Sequence, residues 1–101
     1  MDLLQIVAEP RRREILALVW DDELSAGDIA SRSSVTFGAI SQHLHVLRKA
    51  GLVSVRQEGN RRFYLAEKDR LGPLRPVLEA MWTGTLDRLA MTIENDLSGP
   101  G

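Results

Sequence analysis

Ser41, Gln42 and His45 are the residues of this chain whose types and spacing fit recognition chemistry. Gln42 can bond an adenine edge through both of its amide groups. His45 can donate to a guanine edge or a phosphate, and Ser41 can serve either. On a helix with Ile40 at the origin, Leu44 and Leu47 fall within about 40° of it and form an apolar seam. Gly38, Gln42, His45 and Lys49 fall on the opposite side, with Ser41 at its edge. That face carries no carboxylate, in a chain with 14 acids. An acid there would repel phosphates, so the composition suits a helix entering the major groove of DNA. Thr36 is the expected N-cap, and Gly38 would let a ligand approach the helix start closely. A solvated amphipathic helix also has a polar outer face, so the face alone leaves both readings open.

Arg56, Asn60, Arg61 and Arg62 form the second group. Val53 and Val55 alternate with Ser54 and Arg56, and Phe63 and Leu65 alternate with Arg62 and Tyr64. This is the period of a β-hairpin, with Glu58-Gly59-Asn60 as the turn. A three-residue loop over 58–60 sets Val55 opposite Phe63 and Val53 opposite Leu65, which keeps the apolar set on one face. Asn60 is then expected in the left-handed conformation. The same register sets Arg56 directly across from Arg62, with Asn60 and Arg61 at the tip. Like charges so placed repel, unless an anion such as a DNA backbone lies over them. Arginines splayed into solvent are the alternative.

The elements that must position these groups read as follows. Leu3 to Val7 is a short apolar stretch of one or two helical turns. Pro10 opens the next helix, whose apolar face is Ile15, Leu16, Leu18 and Val19. Ser25 and Asp28 have the spacing of a capping box, with Ile29 and Ala30 as the buried side of a short helix. Ser33-Ser34-Val35 is a turn, and the reading helix runs from Thr36 to about Ala50, where Gly51 stops it in left-handed conformation. Two helices joined by such a turn make a helix-turn-helix. After the hairpin, residues 67–72 are a charged connector. Pro73 and Pro76 fit the opening of a last helix, in which Leu74, Leu78, Met81, Trp82, Leu86, Leu89 and Ile93 recur at helical spacing and Gly84 is an interruption.

The expected architecture is mostly α with a small β-hairpin, in the order α-α-α-α-β-β-α. Residues 1–97 form one domain, including dimerisation helices over 3–7 and 73–96, and 98–101 are a frayed tail. The length of 101 residues allows one domain, and a monomer so small would be modestly stable, which favours a dimer. Charge is unevenly spread. The net value is −1, yet residues 41–70 hold seven Lys and Arg against three acids, while both flanks are acidic. A local basic patch can attract phosphates whatever the total. The chain has no cysteine, which excludes disulfides, thiolate metal sites and cysteine nucleophiles. No leader reads at the N-terminus, and the apolar runs are too short to span a membrane, so a cytoplasmic location is expected. No nucleophile–base set, phosphate loop or carboxylate pair is readable, and an enzyme is not expected.

The run from Ile40 to Val53 resembles the Ser-x-His-Leu-x-x-Leu-x-x-Ala-Gly-Leu-Val signature of ArsR-type winged helix-turn-helix regulators, here carried by Ser41, His43, Leu44, Leu47, Ala50, Gly51, Leu52 and Val53. Glu9 to Leu16 is similar to the segment opening that family's second helix, and Glu58 to Tyr64 resembles its wing. The resemblance spans residues 3 to about 93. It implies a homodimer paired through its first and last helices, binding a pseudo-palindromic operator on double-stranded DNA, usually as a repressor relieved by an effector. It places Leu3, Leu4, Val7, Leu78, Met81, Trp82, Leu86, Leu89 and Ile93 at the dimer interface. Where arsenic sensors of the family carry a Cys-x-Cys pair, this chain has Ser25 and Gly27. Where other branches place ligands on the last helix, Asp87, Glu94 and Asp96 stand without a histidine. The resemblance is therefore to a metal-independent branch, and neither a metal nor a cofactor is expected. Trp82 lining an effector pocket is an alternative to Trp82 in the interface. A winged helix that binds protein and has lost DNA binding is the competing function; carboxylates at positions 42, 45 or 62 would have favoured it.

Overall fold

The computed structural model describes residues 2–84. In chain order the elements are α1 (Leu3–Ala8), α2 (Pro10–Leu18), β1 (Leu24–Ser25), α3 (Ala26–Arg32), α4 (Phe37–Lys49), β2 (Val53–Glu58), β3 (Arg61–Ala66), a 3-10 turn (Lys68–Leu71) and α5 (Leu74–Trp82). The strands form one antiparallel sheet in the order β1-β3-β2. The two-residue strand β1 is absent from the sequence reading, because two residues show no periodicity. The expectations for Leu86, Leu89, Ile93, the helix beyond Gly84 and the tail lie outside the described residues.

Helix starts follow the cap chemistry. Asp2 and Gln5 close a capping box on α1, and Ser25 and Asp28 close one on α3. Pro10 opens α2, with the Glu9 carboxylate accepting from the Arg11 N–H. Thr36 Oγ1 accepts from the Ala39 N–H at the start of α4. The six-residue α1 has no basic residue of its own near its C-terminus. Arg12 and Arg13 of α2 supply it, donating to the carbonyls of Ile6, Val7 and Ala8 at 2.8–2.9 Å.

The core gathers Ile6 and Val7 of α1, Ile15, Leu16 and Val19 of α2, Ile29 of α3, and Ile40, Leu44 and Leu47 of α4. Leu24, Val53 and Ala66 close it from the sheet, and Leu71 and Leu78 from the last segment. The connector over 67–72 is thus more than charged: its Leu71 is fully buried. Gly51 has φ of 79°, the left-handed stop expected after α4. The Leu52 N–H then returns to the Leu47 carbonyl, and Glu67 donates back to Leu52, which ties the sheet to the end of α4. α5 ends at Trp82, ahead of Gly84 with φ of 74°.

The hairpin register differs from the expected one. Glu58 pairs with Arg61, so the loop is the two residues Gly59 and Asn60. Gly59 takes the positive φ and Asn60 does not, the pattern of a type II′ turn. Val55 faces Tyr64, Val53 faces Ala66 and Arg56 faces Phe63; Arg56 and Arg62 are not opposed. The expectation failed because it assumed that Phe63 must be an inner residue. The inner face is instead Val53, Val55, Tyr64 and Ala66, continued by Leu24 across β3. Phe63 lies on the outer face, where guanidinium groups cover it.

Replacing Gly51 with alanine is expected to cost about 1 kcal/mol, because a Cβ at this φ is strained. Urea unfolding of the two proteins measures it; an unchanged midpoint would contradict the left-handed stop.

Candidate nucleic-acid interface

α4 is held by Ile40, Leu44 and Leu47, each buried almost completely. The turn before it is pinned twice. Val35 is buried, and Ser34 donates to the Glu14 carboxylate of α2 from both its N–H and its hydroxyl. With one stripe fixed, the rest of α4 is presented outward: Thr36, Phe37, Gly38, Ser41, Gln42, His45, Arg48 and Lys49 are all exposed. A Cβ added at Gly38 would meet nothing within 4 Å, so packing does not demand glycine there. His43 is half-buried on the flank toward α2. Desolvation pushes its pKa down, Arg12 and Arg11 push the same way, and Glu9 opposes them. It lies on the flank against α2 rather than on the exposed outward face.

The wing arginines have three different environments. Arg56 is held by Glu23 at 3.0 Å and Glu58 at 2.8 Å, and its guanidinium lies 4.9 Å from the Phe63 ring centre. Those two carboxylates raise its pKa and neutralise it locally. Arg61 flanks Phe63 at 5.3 Å and reaches Ser25 and Asp28 at the start of α3. The Asp28 carboxyl is held below its usual range, first by its hydrogen bonds with Ser25, with Arg61 adding to them. Arg62 points the other way. It shares the inner face with Tyr64 but stands beyond the core, over α4.

There it helps line a notch of about 260 Å³ with Ser41, His45, Arg48 and Tyr64. Hydroxyl, imidazole and guanidinium donors converge in this notch, and no carboxylate lines it. A tetrahedral anion such as a DNA phosphate matches that set of donors. Arg48 and Tyr64 were missed in the sequence. Arg48 lies beside Ser41 on the helical wheel, and that proximity was the available signal. Tyr64 could not be placed without the correct strand register. A neighbouring cleft joins Phe37, Ser41, Asn60, Arg61 and Arg62 around the mouth of the notch.

The expected interface residues divide by burial. Leu4 and Met81 are exposed, at 65% and 40%, as is Val77 of α5. Leu3 and Trp82 are half-buried, while Val7 and Leu78 belong to the core. Trp82 packs edge-on against Trp20 with ring centres 4.7 Å apart, and the Trp20 Nε1–H donates to Glu79. Among the described residues, no three His, Cys, Asp or Glu side chains come together to hold a metal, and no helix is long and apolar enough to cross a membrane.

A helix pair with a fixed, acid-free outer face, flanked by a basic hairpin on a small antiparallel sheet, defines a winged helix-turn-helix DNA-binding protein. Residues 9–55 match the profile described as bacterial regulatory protein, arsR family. Transcriptional activator HlyU of Vibrio cholerae is 36% identical over 80 residues, covering 79% of this chain and 74% of that protein. Transcriptional repressor SdpR of Bacillus subtilis is 32% identical over 63 residues, covering 62% of this chain and 70% of SdpR. The homodimeric winged helix-turn-helix DNA-binding domain of a possible ArsR-family regulator from Mycobacterium bovis superposes with a TM-score of 0.66, at 26% identity, covering 79% of this chain and 74% of that one. The chain belongs to the arsR family of bacterial regulatory proteins, and it is a DNA-binding transcriptional regulator.

The contrast between the arginines is measurable. Arg62→Ala is expected to reduce the slope of log affinity against log salt by about one, the loss of one phosphate contact. Arg56→Gln is expected to leave that slope unchanged, since Glu23 and Glu58 already satisfy Arg56. Anisotropy titrations at several salt concentrations decide it; equal slopes for both variants would refute the division.

Proposed function

We propose that this chain acts in the cytoplasm as a homodimeric repressor of its own and other promoters, binding a pseudo-palindromic operator. The observation that carries the reading is the outward face of α4, free of carboxylates and continuous with the notch under Arg62. In this reading Ser41, Gln42 and His45 read base edges, and Gly38 allows α4 to approach the bases. Thr36, Lys49, Asn60, Arg61 and Arg62 position the backbone, with Arg48 and Tyr64 completing the phosphate notch. Arg56 takes part by shaping the wing and keeping Glu23 and Glu58 neutralised.

Dimerisation rests on α1 and α5. Leu4, Val77 and Met81 leave apolar surface in water, and a second copy would cover it by a two-fold contact of the same helices. Two reading helices related by that axis would meet a two-fold-related operator. Relatives include both an activator and a repressor, so the direction of regulation is decided by where the operator lies relative to the promoter. A dimer seated on the DNA just upstream of its own gene would exclude polymerase, and repression is the reading adopted.

Fluorescence anisotropy on that upstream DNA, against a shuffled competitor at two salt concentrations, tests the proposal. Tight, selective, salt-dependent binding is expected; indifference to the shuffle would overturn autoregulation. Gln42→Ala and His45→Ala are each expected to cost about 1–3 kcal/mol on the operator and far less on random DNA. Equal losses on both would remove them from base reading. Leu4→Glu and Met81→Glu are expected to give folded monomers by sedimentation, with operator affinity much reduced, because both side chains are exposed in the protomer. A stable dimer in both variants would exclude this interface.

A further inference from the structure

Phe37 is the first residue of α4 and is 58% exposed. It differs from the other exposed large apolar residues among those described, Leu4, Val77 and Met81, which lie on α1 and α5 where a second copy would cover them. The cleft beside Phe37 carries the guanidinium groups of Arg61 and Arg62 with Ser41 and Asn60, next to the smaller apolar surfaces of Ala26 and Tyr64, and Gly38, beside the ring, leaves open space. A protein partner recognising an exposed phenyl ring usually offers an apolar pocket, and the arginines and bare helix face beside Phe37 fit such a pocket poorly. They fit a polyanion that carries one isolated apolar group.

Double-stranded DNA is such a partner. Its major groove is lined by hydrogen-bonding edges and phosphates, and the C5-methyl of thymine is the apolar group it presents. We propose that Phe37 is a specificity-determining residue that contacts a thymine methyl where the N-terminal turn of α4 enters the groove. The missing side chain at Gly38 lets the helix come near enough for that contact. Ser41 and Gln42, one turn further along α4, then read the neighbouring base edges. In the sequence alone, an apolar residue at a helix start looks like core. Only its exposure on this face separates it from Ile40 and Leu44.

The inference rests on DNA binding by α4, and its test separates the two. Duplexes bound by the full chain are selected from a random pool, and each thymine of the preferred sequence is replaced singly by deoxyuridine, which removes only the methyl group. Affinities are measured by anisotropy for the wild type, Phe37→Ala and Phe37→Leu. At one thymine per half-site, the wild type is expected to lose about fourfold, the worth of burying one methyl. Phe37→Ala is expected to lose at least as much on the thymine duplex and nothing further on the uracil one. Phe37→Leu, still apolar, is expected to keep part of the discrimination. Wild-type and Phe37→Ala proteins with the same thymine-to-uracil ratio at every position would overturn the proposal while leaving DNA binding intact. So would a Phe37→Ala protein that loses its dimer in sedimentation, since the ring would then belong to a contact between copies. A wild-type chain that selects no duplex would overturn the DNA-binding reading, and this one with it.

Discussion

Burial of one stripe of α4 is the constraint on which the rest depends. Ile40, Leu44 and Leu47 enter the core from α4, and Val35 anchors the turn before it. A helix held along three successive turns can neither roll nor slide without opening cavities worth several kcal/mol. Its opposite face therefore has a fixed aspect, and Ser41, Gln42 and His45 are presented together rather than sampled. Contacts that would mean little on a loose helix gain value because the backbone is already ordered and only the side chains remain to be fixed on binding. The Glu14 bonds to Ser34 and the Leu52 bond to Leu47 fix the two ends of the same helix.

The wing is built by dividing its arginines between structure and ligand. Phe63 faces outward, and bare it would be an apolar spot on an otherwise polar hairpin. Arg56 and Arg61 cover it from either side, and each is steadied by an acid from outside the hairpin, Glu23 for one and Asp28 for the other, with Glu58 of β2 adding to the first. These exposed pairs each add little to stability. Their consequence is geometric. They tie the hairpin to the start of α3 and to the loop before β1, which holds the strand carrying Arg62 over α4. Among the arginines of the hairpin, Arg62 is the one with no acid against it among the described residues, and it faces the notch over α4.

At the other end of the molecule, α1 survives although it is too short to be stable alone. It buries Ile6 and Val7, and Arg12 and Arg13 occupy its terminal carbonyls. That arrangement leaves Leu4 on the outside. The same balance holds for α5, where Leu78 is inside and Val77 and Met81 are not. Each of these helices is half used by its own chain, and the other half is the apolar surface proposed above for a symmetric partner.

The sequence by itself determined the local events, because their causes are local. The caps at Ser25 and Thr36, Pro10 at a helix start and the left-handed stop at Gly51 each depend on a few neighbouring atoms. The seam of α4 and its acid-free outer face follow from a repeat of 3.6 residues, and the helix pair and hairpin followed in order. The tertiary structure decided what needed two distant segments at once. Strand register turned on whether Phe63 was inside or outside, and that depended on Arg56, Arg61 and the acids of other elements rather than on alternation. With the register came the separate roles of Arg56 and Arg62 and the place of Tyr64. Leu71 in the core, the two-residue β1 strand and the exposure of Phe37 were likewise invisible to periodicity. Burial is a property of the whole packed chain, and a single segment does not record it.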